Sequence, residues 1–323
     1  MDKDITSGII GFTVGDILGV PVEFKTREEL RQNPVLDLRE YGTHNQPLGS
    51  WSDDTSMTLA TMDSIIHKGK IDTNDIADKF LNWFRKKEYT PKGKVFDIGD
   101  TTIRALEKYE LKLDEAKNCG GNNEYSNGNA SLMRMLPILY YCFKKDLKDD
   151  EILKIVEDVS SITHRHPISI LGCYIYVKFG IELLKGYDKI QAYYNIKNLD
   201  YSFFDNDVIS KYNRILKDDI YTLNLDNISS NGYVVSTLES VLYIFLTSND
   251  YNNTILRAIN LGDDTDTIGS CTGGLLGFYY GIDSIKENWR KNILKYDYII
   301  DLCNKFEKMF LWNGVYINEW EVL

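Results

Sequence analysis

Apolar residues recur along this chain at three- and four-residue spacing, separated by short polar stretches, which is the pattern of amphipathic helices. Residues 5–20 form the first such run, with glycines at 8, 11, 15 and 19 along one helical stripe. Glycine is a poor helix former, so this stripe predicts another backbone in very close approach. A second stripe, Gly269, Gly273, Gly277 and Gly281, follows late in the chain, and the two helices are expected to pack on each other. Between them the spacing predicts helices over 56–66, 75–86 (Ile76, Phe80, Trp83 and Phe84 inward), 101–110 and 132–143. In 132–143, Arg134 falls in the first turns and Pro137 kinks or shapes the helix. Further helices are predicted over 151–162, with Ile152, Ile155, Val156, Val159 and Ile162 on one face, and over 231–246. Residues 25–49, polar and containing Pro34 and Pro47, read as a long loop. Residues 187–230, rich in Tyr, Asn and Asp, read as an insertion or lid. The C-terminal region, 282–323, reads as mixed helix and loop. No βαβ alternation, repeat or interdomain linker appears, so the expectation is one all-α domain over 1–323 of about a dozen helices.

Composition narrows the partners. Hydrophobic residues make up 43% of the 323, ample for a sizeable core. A net charge of −11 makes nucleic acid an unlikely main partner. It leaves room for a phosphate-bearing small substrate, because a bound cation inverts the local field. Cysteines at 119, 142, 173, 271 and 303 are scattered without a C-x-x-C pair, which favours reduced thiols in a cytoplasmic protein over a disulfide or zinc framework. The run from Gly8 to Val22 is interrupted by Asp16 and lacks a basic flank, unlike a secretory signal. No stretch is expected to approach the length of a membrane span, and a monomer without membrane contact is expected.

The candidate chemistry is acidic. Asp263, Asp264 and Asp266 fall within four residues, just before the second glycine stripe, with Thr265 and Thr267 beside them. Residues two apart on a helix point away from each other, so Asp264 and Asp266 converge only if the backbone is still entering the helix there. Convergent carboxylates with hydroxyls suit a hard cation such as Mg²⁺. The plainer reading is an N-cap, since Asp and Thr are favoured there and acids suit the positive end of the dipole. Ser52, Asp53, Asp54 and Thr55 repeat the pattern at the mouth of another helix, and the two segments look like halves of one site. Asp16 and Glu23 flank the end of the first helix, where an acid opposes the dipole; this favours a role other than helix stability, the alternative being a solvated surface acid. Asp97 lies between Phe96 and Ile98; partial burial there would raise its pKa, useful for proton transfer, or it is a cap or a hydrogen-bonded buried acid. Residues 119–131 form a small, polar loop rich in N–H donors, either a phosphate cradle at a helix start or simply a turn. His164 and His166 sit at a helix end with too few neighbouring ligands for zinc; one contacts substrate or carboxylate, or the helix is merely capped.

Seven motifs in one order then carry a resemblance. They are G-x-x-x-G-D-x-L-G-x-P-x-E (Gly11 to Glu23), W-S-D-D-T-x-M (Trp51 to Met57), F-D-I-G (Phe96 to Gly99), G-N-x-S-L-M-R-x-x-P (Gly128 to Pro137), T-H-x-H-P (Thr163 to Pro167), G-Y-V-V-x-T-L-E (Gly232 to Glu239) and G-D-D-T-D-T-I-G (Gly262 to Gly269). The chain resembles the ADP-ribosylglycohydrolase family, of which the dinitrogenase reductase-activating glycohydrolase is a bacterial member, over a motif core of residues 8–281. The resemblance implies an all-α orthogonal helical bundle with a cleft for two Mg²⁺ (or Mn²⁺) ions. It implies Ser52, Asp53 and Asp54 as metal ligands from one helix mouth, Asp264, Asp266 and Thr267 from the other, and Asp263 behind them. It implies Asp97 or Glu23 as the catalytic carboxylate. Ser126, Asn127, Gly128, Asn129, Ser131, Met133, Arg134 and His164 would line the substrate cleft. Where the family often has Gly, this chain has Ala130, so that position needs no left-handed backbone; Ser236 replaces a frequent acid or His.

The implied activity is Mg²⁺-dependent hydrolysis at ribose C1″, removing ADP-ribose from a modified protein side chain or a small ADP-ribosyl conjugate, with the arginine linkage favoured. The alternatives are a hydrolase of another linkage (serine, O-acetyl-ADP-ribose, nucleic-acid base), a non-hydrolytic ADP-ribose-binding or crystallin-like protein, and a phosphohydrolase releasing AMP.

Overall fold

The computed structural model describes residues 4–311, which contain sixteen α-helices and no β-strand. The end of the C-terminal region, 312–323, lies outside the described residues. In chain order, the first half holds α1 (Ile5–Gly19), α2 (Arg27–Gln32), α3 (Asp53–Lys68), α4 (Thr73–Leu81), α5 (Asp100–Glu110), α6 (Leu136–Lys144) and α7 (Asp149–Ser160). Next come α8 (Pro167–Lys185), α9 (Lys189–Lys197), α10 (Asn206–Ser210), α11 (Asn213–Leu216) and α12 (Val234–Leu246). The chain then runs through α13 (Tyr251–Ile259), α14 (Thr265–Tyr280), α15 (Glu287–Lys291) and α16 (Tyr296–Leu311).

The two glycine stripes meet at the centre. A Cβ at Gly15 would lie 2.1 Å from the Gly269 carbonyl oxygen, and one at Gly11 2.3 Å from that of Gly273. Without side chains the backbones of α1 and α14 touch directly, and Tyr251 donates from its hydroxyl to the Gly11 carbonyl at the seam. Gly281 departs from the expected stripe: at φ +80 it ends α14. Aromatic and aliphatic side chains from α3, α6, α8, α12 and α16 complete one buried apolar cluster around this pair.

Several local expectations need correction. α6 begins at Leu136 with Pro137 in its first turn, where a missing N–H costs nothing; Pro137 starts the helix instead of kinking it, and Arg134 lies before it. The 25–49 stretch contains α2, whose Thr26 and Glu29 form a reciprocal capping box. α4 stops at Leu81 and passes into a π-turn over Asn82–Lys86. By length and composition Ile5–Val22 and Pro167–Lys185 could cross a membrane, contrary to expectation, yet each is 94% buried within the fold. Residues 187–230 form α9 to α11 and short turns, which pack on α8 and α12.

Candidate active site

Helix starts converge here. Asp264 is the N-cap of α14 and Asp266 lies in its first turn, so the backbone is indeed still entering the helix between them. Ser52 caps α3, accepting from the Asp54 N–H at 3.2 Å. The two segments touch: the Thr267 and Ser270 hydroxyls donate to the two Asp54 carboxylate oxygens, at 3.3 and 2.9 Å. Asp16, from the last turn of α1, accepts from the Ser52 N–H (2.9 Å), the Thr55 N–H (3.1 Å) and the Thr55 hydroxyl (2.6 Å). It thereby caps α3 from another helix. A Cβ at Gly19 would lie 2.4 Å from Asp266 Cα, so the glycine stripe sets the depth at which α14 starts.

Next to this cluster is a cavity of about 240 Å³, lined by Glu23, Asp53, Asp97, Asp264 and Thr267, by Gly99 to Thr102 at the start of α5, and by Gly128 to Ala130, Met133 and His164. Phe24, also at its edge, is exposed. Two backbone hydrogen bonds of 2.7 Å, Phe24 N–H to Asp263 and Asp263 N–H to Lys25, lace the Glu23 segment to the approach of α14. Phe24 (φ +63), Asp97 (φ +63) and Asp263 (φ +59) all adopt left-handed backbone, uncommon outside glycine. Asp263 itself is exposed, and its carboxylate accepts from the Ser230 hydroxyl at 2.8 Å. No residue of 187–230 lines the cavity.

The polar loop divides into two parts. Gly128, Asn129, Ala130 and Met133 face the cavity, and Asn129 donates to Asp264 Oδ2 at 2.6 Å. Ala130 has no left-handed backbone, in line with its side chain. Ser126, Asn127, Ser131 and Arg134 are buried outside the lining. Asn127 ties the loop to α8 through the Ser169 hydroxyl (3.0 Å) and to α12 through the Val234 N–H (3.0 Å). Arg134 donates from its two terminal nitrogens to the Ala130, Val159 and Ser160 carbonyls and lies over the Phe80 ring, while its Nε is buried without a partner. His164 is buried, pushed down to about 3 by burial and then the Arg134 charge, and is therefore neutral. His166 caps α8.

Electrostatics give the site its character. Burial, reinforced by neighbouring carboxylates, pushes Asp53, Asp54 and Asp266 well above the usual carboxylate range. Burial raises Asp264 as well, opposed by hydrogen bonds from Asn129 and Thr267. Burial lifts Asp16 to about 6 and, with the Asp264 charge, Asp97 to about 7. Glu23 reaches about 11 through burial and then the Asp97 charge. Among the described residues no Lys or Arg pairs with them; the nitrogen nearest Glu23 and Asp97 is Nε2 of His44, whose pKa burial and then the Lys94 charge push below the usual imidazole value. Asp266 Oδ2 is buried with no hydrogen-bond partner, and Asp266 belongs to two donor groups, one with Asp16 and Asp54, one with Glu23, His44 and Asp97. An orphaned carboxylate oxygen among carboxylates and hydroxyls fits a hard divalent cation.

The cluster also takes in Asp16, singled out in the sequence without a ligand or base role, and Ser270 and His44, which were not singled out. Asp16 carried a weak signal, an acid at the wrong end of a helix. Ser270 and His44 carried none: one is a small polar residue inside a glycine-rich helix, the other a lone histidine in a polar loop.

A profile of the ADP-ribosylglycohydrolase family matches residues 2–315. The chain is 30% identical over 301 residues to the ADP-ribosylarginine hydrolase Tri1 of Serratia proteamaculans, an alignment covering 92% of this chain and 77% of that protein. It is 27% identical over 291 residues to the ADP-ribosyl-dinitrogen reductase glycohydrolase of Rhodospirillum rubrum, covering 87% and 86%. A solved structure described as an ADP-ribosylglycohydrolase-related protein complex matches with a TM-score of 0.79 at 26% identity, covering 95% of this chain and 98% of that one.

Proposed function

Because the chain belongs to the ADP-ribosylglycohydrolase family, we propose that it is a Mg²⁺-dependent hydrolase that frees ADP-ribose from modified protein side chains, arginine above all, by cleavage at ribose C1″. The observation that carries this reading is the orphaned Asp266 oxygen inside a buried cluster of raised carboxylates at a cavity wall. The name of the Serratia relative, an ADP-ribosylarginine hydrolase, supports the arginine linkage. Ser52, Asp53, Asp54, Asp264, Asp266 and Thr267 would hold two Mg²⁺ (or Mn²⁺) ions. Bound there, such ions supply electrostatic stabilisation and orientation of substrate oxygens. We place the enzyme in the cytoplasm as a monomer, acting on ADP-ribosylated protein or small ADP-ribosyl conjugates.

Cleavage of a glycosidic bond passes through an oxocarbenium-like state and needs a water, a base and help for the leaving group. The separated pKa values of two neighbouring carboxyls favour one assignment of roles. Glu23, pushed up to about 11, keeps its proton, while Asp97, at about 7, is the one to lose it near neutral pH. Asp97 is thus the general base for the attacking water, and Glu23 a proton-bearing neighbour. Asn129 orients Asp264 by its 2.6 Å hydrogen bond, and neutral His164 closes one side of the cavity without adding charge. The test offers ADP-ribosyl-arginine protein, ADP-ribosyl-serine peptide, O-acetyl-ADP-ribose and an ADP-ribosylated nucleic-acid base separately, with Mg²⁺ or with EDTA. Mass spectrometry is expected to find free ADP-ribose from the arginine conjugate, lost in EDTA. Release of AMP, or ADP-ribose binding without turnover of any conjugate, contradicts the proposal.

A further inference from the structure

The polar loop before α3 contributes a side chain to the site. Gly42, at φ +58, passes so close to Pro21 that a Cβ would lie 2.0 Å from its carbonyl oxygen. Thr43 donates from its hydroxyl to the Glu23 carbonyl at 2.7 Å. Tyr41 and Gln46 pair across the turn by a 2.6 Å backbone hydrogen bond, and the Gln46 side-chain amide donates to the His44 carbonyl at 2.8 Å. The loop is therefore pinned to residues 21–23, and the His44 ring is held between Phe24 and Phe96, at centroid distances of 5.9 and 5.1 Å. Its side chain is 13% exposed. Nε2 shares a hydrogen bond with a Glu23 carboxylate oxygen and lies 3.8 Å from Asp97 Oδ1. One imidazole edge thus faces two carboxylates that arrive from separate segments, one of them on left-handed backbone.

We infer that His44 is a positioning residue for hydrolysis: its Nε2 fixes the Glu23 carboxylate and, through that contact, the orientation of Asp97 toward the cavity. This rests on the hydrolase reading above. A histidine that only filled space between Phe24 and Phe96 would be replaceable by an apolar side chain of similar size. A positioning histidine needs its polar edge. Glutamine can offer a hydrogen-bonding amide in that role, whereas leucine cannot.

The test compares His44→Ala, His44→Leu and His44→Gln. Misplacement of a catalytic group by about 1 Å costs on the order of 10²-fold, so kcat in the Ala and Leu variants is expected to fall roughly 10- to 100-fold, with KM little changed. His44→Gln is expected to recover most of that loss. In a Glu23→Gln background, His44→Ala should add little, because contacting residues are non-additive. The Mg²⁺-induced rise in Tm should persist in every variant, showing that folding and the cation site survive. Wild-type kcat in His44→Ala or His44→Leu, or equal losses in the Leu and Gln variants, overturns the inference. A substrate-free arm uses the imidazole NMR signals of the four histidines: Glu23→Gln should move that of His44 and leave those of His67 and His166 in place. An unmoved His44 signal overturns the contact itself. A wild-type protein inert on every linkage overturns the hydrolase reading instead, with the NMR arm still deciding the His44–Glu23 pair.

Discussion

Asp97 combines an uncommon backbone conformation, a place at the cavity wall and a carboxyl raised to about 7. In the proposed mechanism Asp97 must be ionised to act, so turnover is expected to climb with pH up to about 7 and level off above it, with the midpoint below that metal-free value once Mg²⁺ offsets the Asp264 charge. A flat profile across that range would count against Asp97. Asp97→Asn should cut kcat by ~10²–10⁴-fold while ADP-ribose binding, followed by calorimetry, is kept. The sequence marked Asp97 because Phe96 and Ile98 flank it, an odd setting for a solvated acid. His44 escaped notice because Phe24, Phe96 and Glu23, which define its environment, are brought to it only by the fold. Arg134 shows the opposite: a charged residue in a motif drew attention, and its guanidinium goes to three backbone carbonyls.

At the scale of elements, the glycine stripes were legible because only a missing Cβ lets two helix backbones touch. Gly15→Ala would drive a methyl to 2.1 Å from the Gly269 oxygen and is expected to cost roughly 1–3 kcal/mol. Gly99→Ala is the control, with nothing within 4 Å of an added Cβ and an expected loss of no more than about 1 kcal/mol from the poorer N-cap it gives α5. Urea unfolding of both variants checks the pair; equal stabilities would mean that α1 and α14 are not packed this tightly. Boundaries were less legible. Pro137 is compatible with both a kink and a first turn, and what decides is where the preceding 131–134 turn releases the chain into α6. The Thr26–Glu29 box was readable in principle, but the prolines around it directed attention to a loop.

Across the whole molecule the acidic cluster sets stability against function. A carboxyl with a higher pKa folded than unfolded favours folding while protonated and opposes it once ionised. Metal-free protein should therefore lose Tm as pH rises from the ordinary carboxylate range through about 6 and 7, the values reached by Asp16 and Asp97. Mg²⁺, which binds deprotonated ligands, should raise Tm more at the upper end of that window. Calorimetric scans with Mg²⁺ or EDTA measure both; a pH-independent Mg²⁺ effect would contradict the cluster's role. In EDTA, Asp266→Asn should be at least as stable as the parent at neutral pH, since it removes a carboxyl whose ionisation in this buried setting opposes folding. The helical architecture and the meeting of the two acidic segments were readable from spacing and motif. Asp16 was legible only as an acid opposing the dipole at the end of α1, and Ser270 not at all, being a small polar residue inside the glycine-rich α14. In the proposed enzyme Asp54 and Asp266, from opposite helix mouths, build one cation site. Calorimetric titration of Mg²⁺ into the wild type, Asp54→Ala and Asp266→Ala measures whether both carboxylates hold the ion. The expected result is binding to the wild type and a loss of at least about tenfold in affinity in each variant, since each loses a charged oxygen ligand. Unchanged affinity in both variants would contradict it.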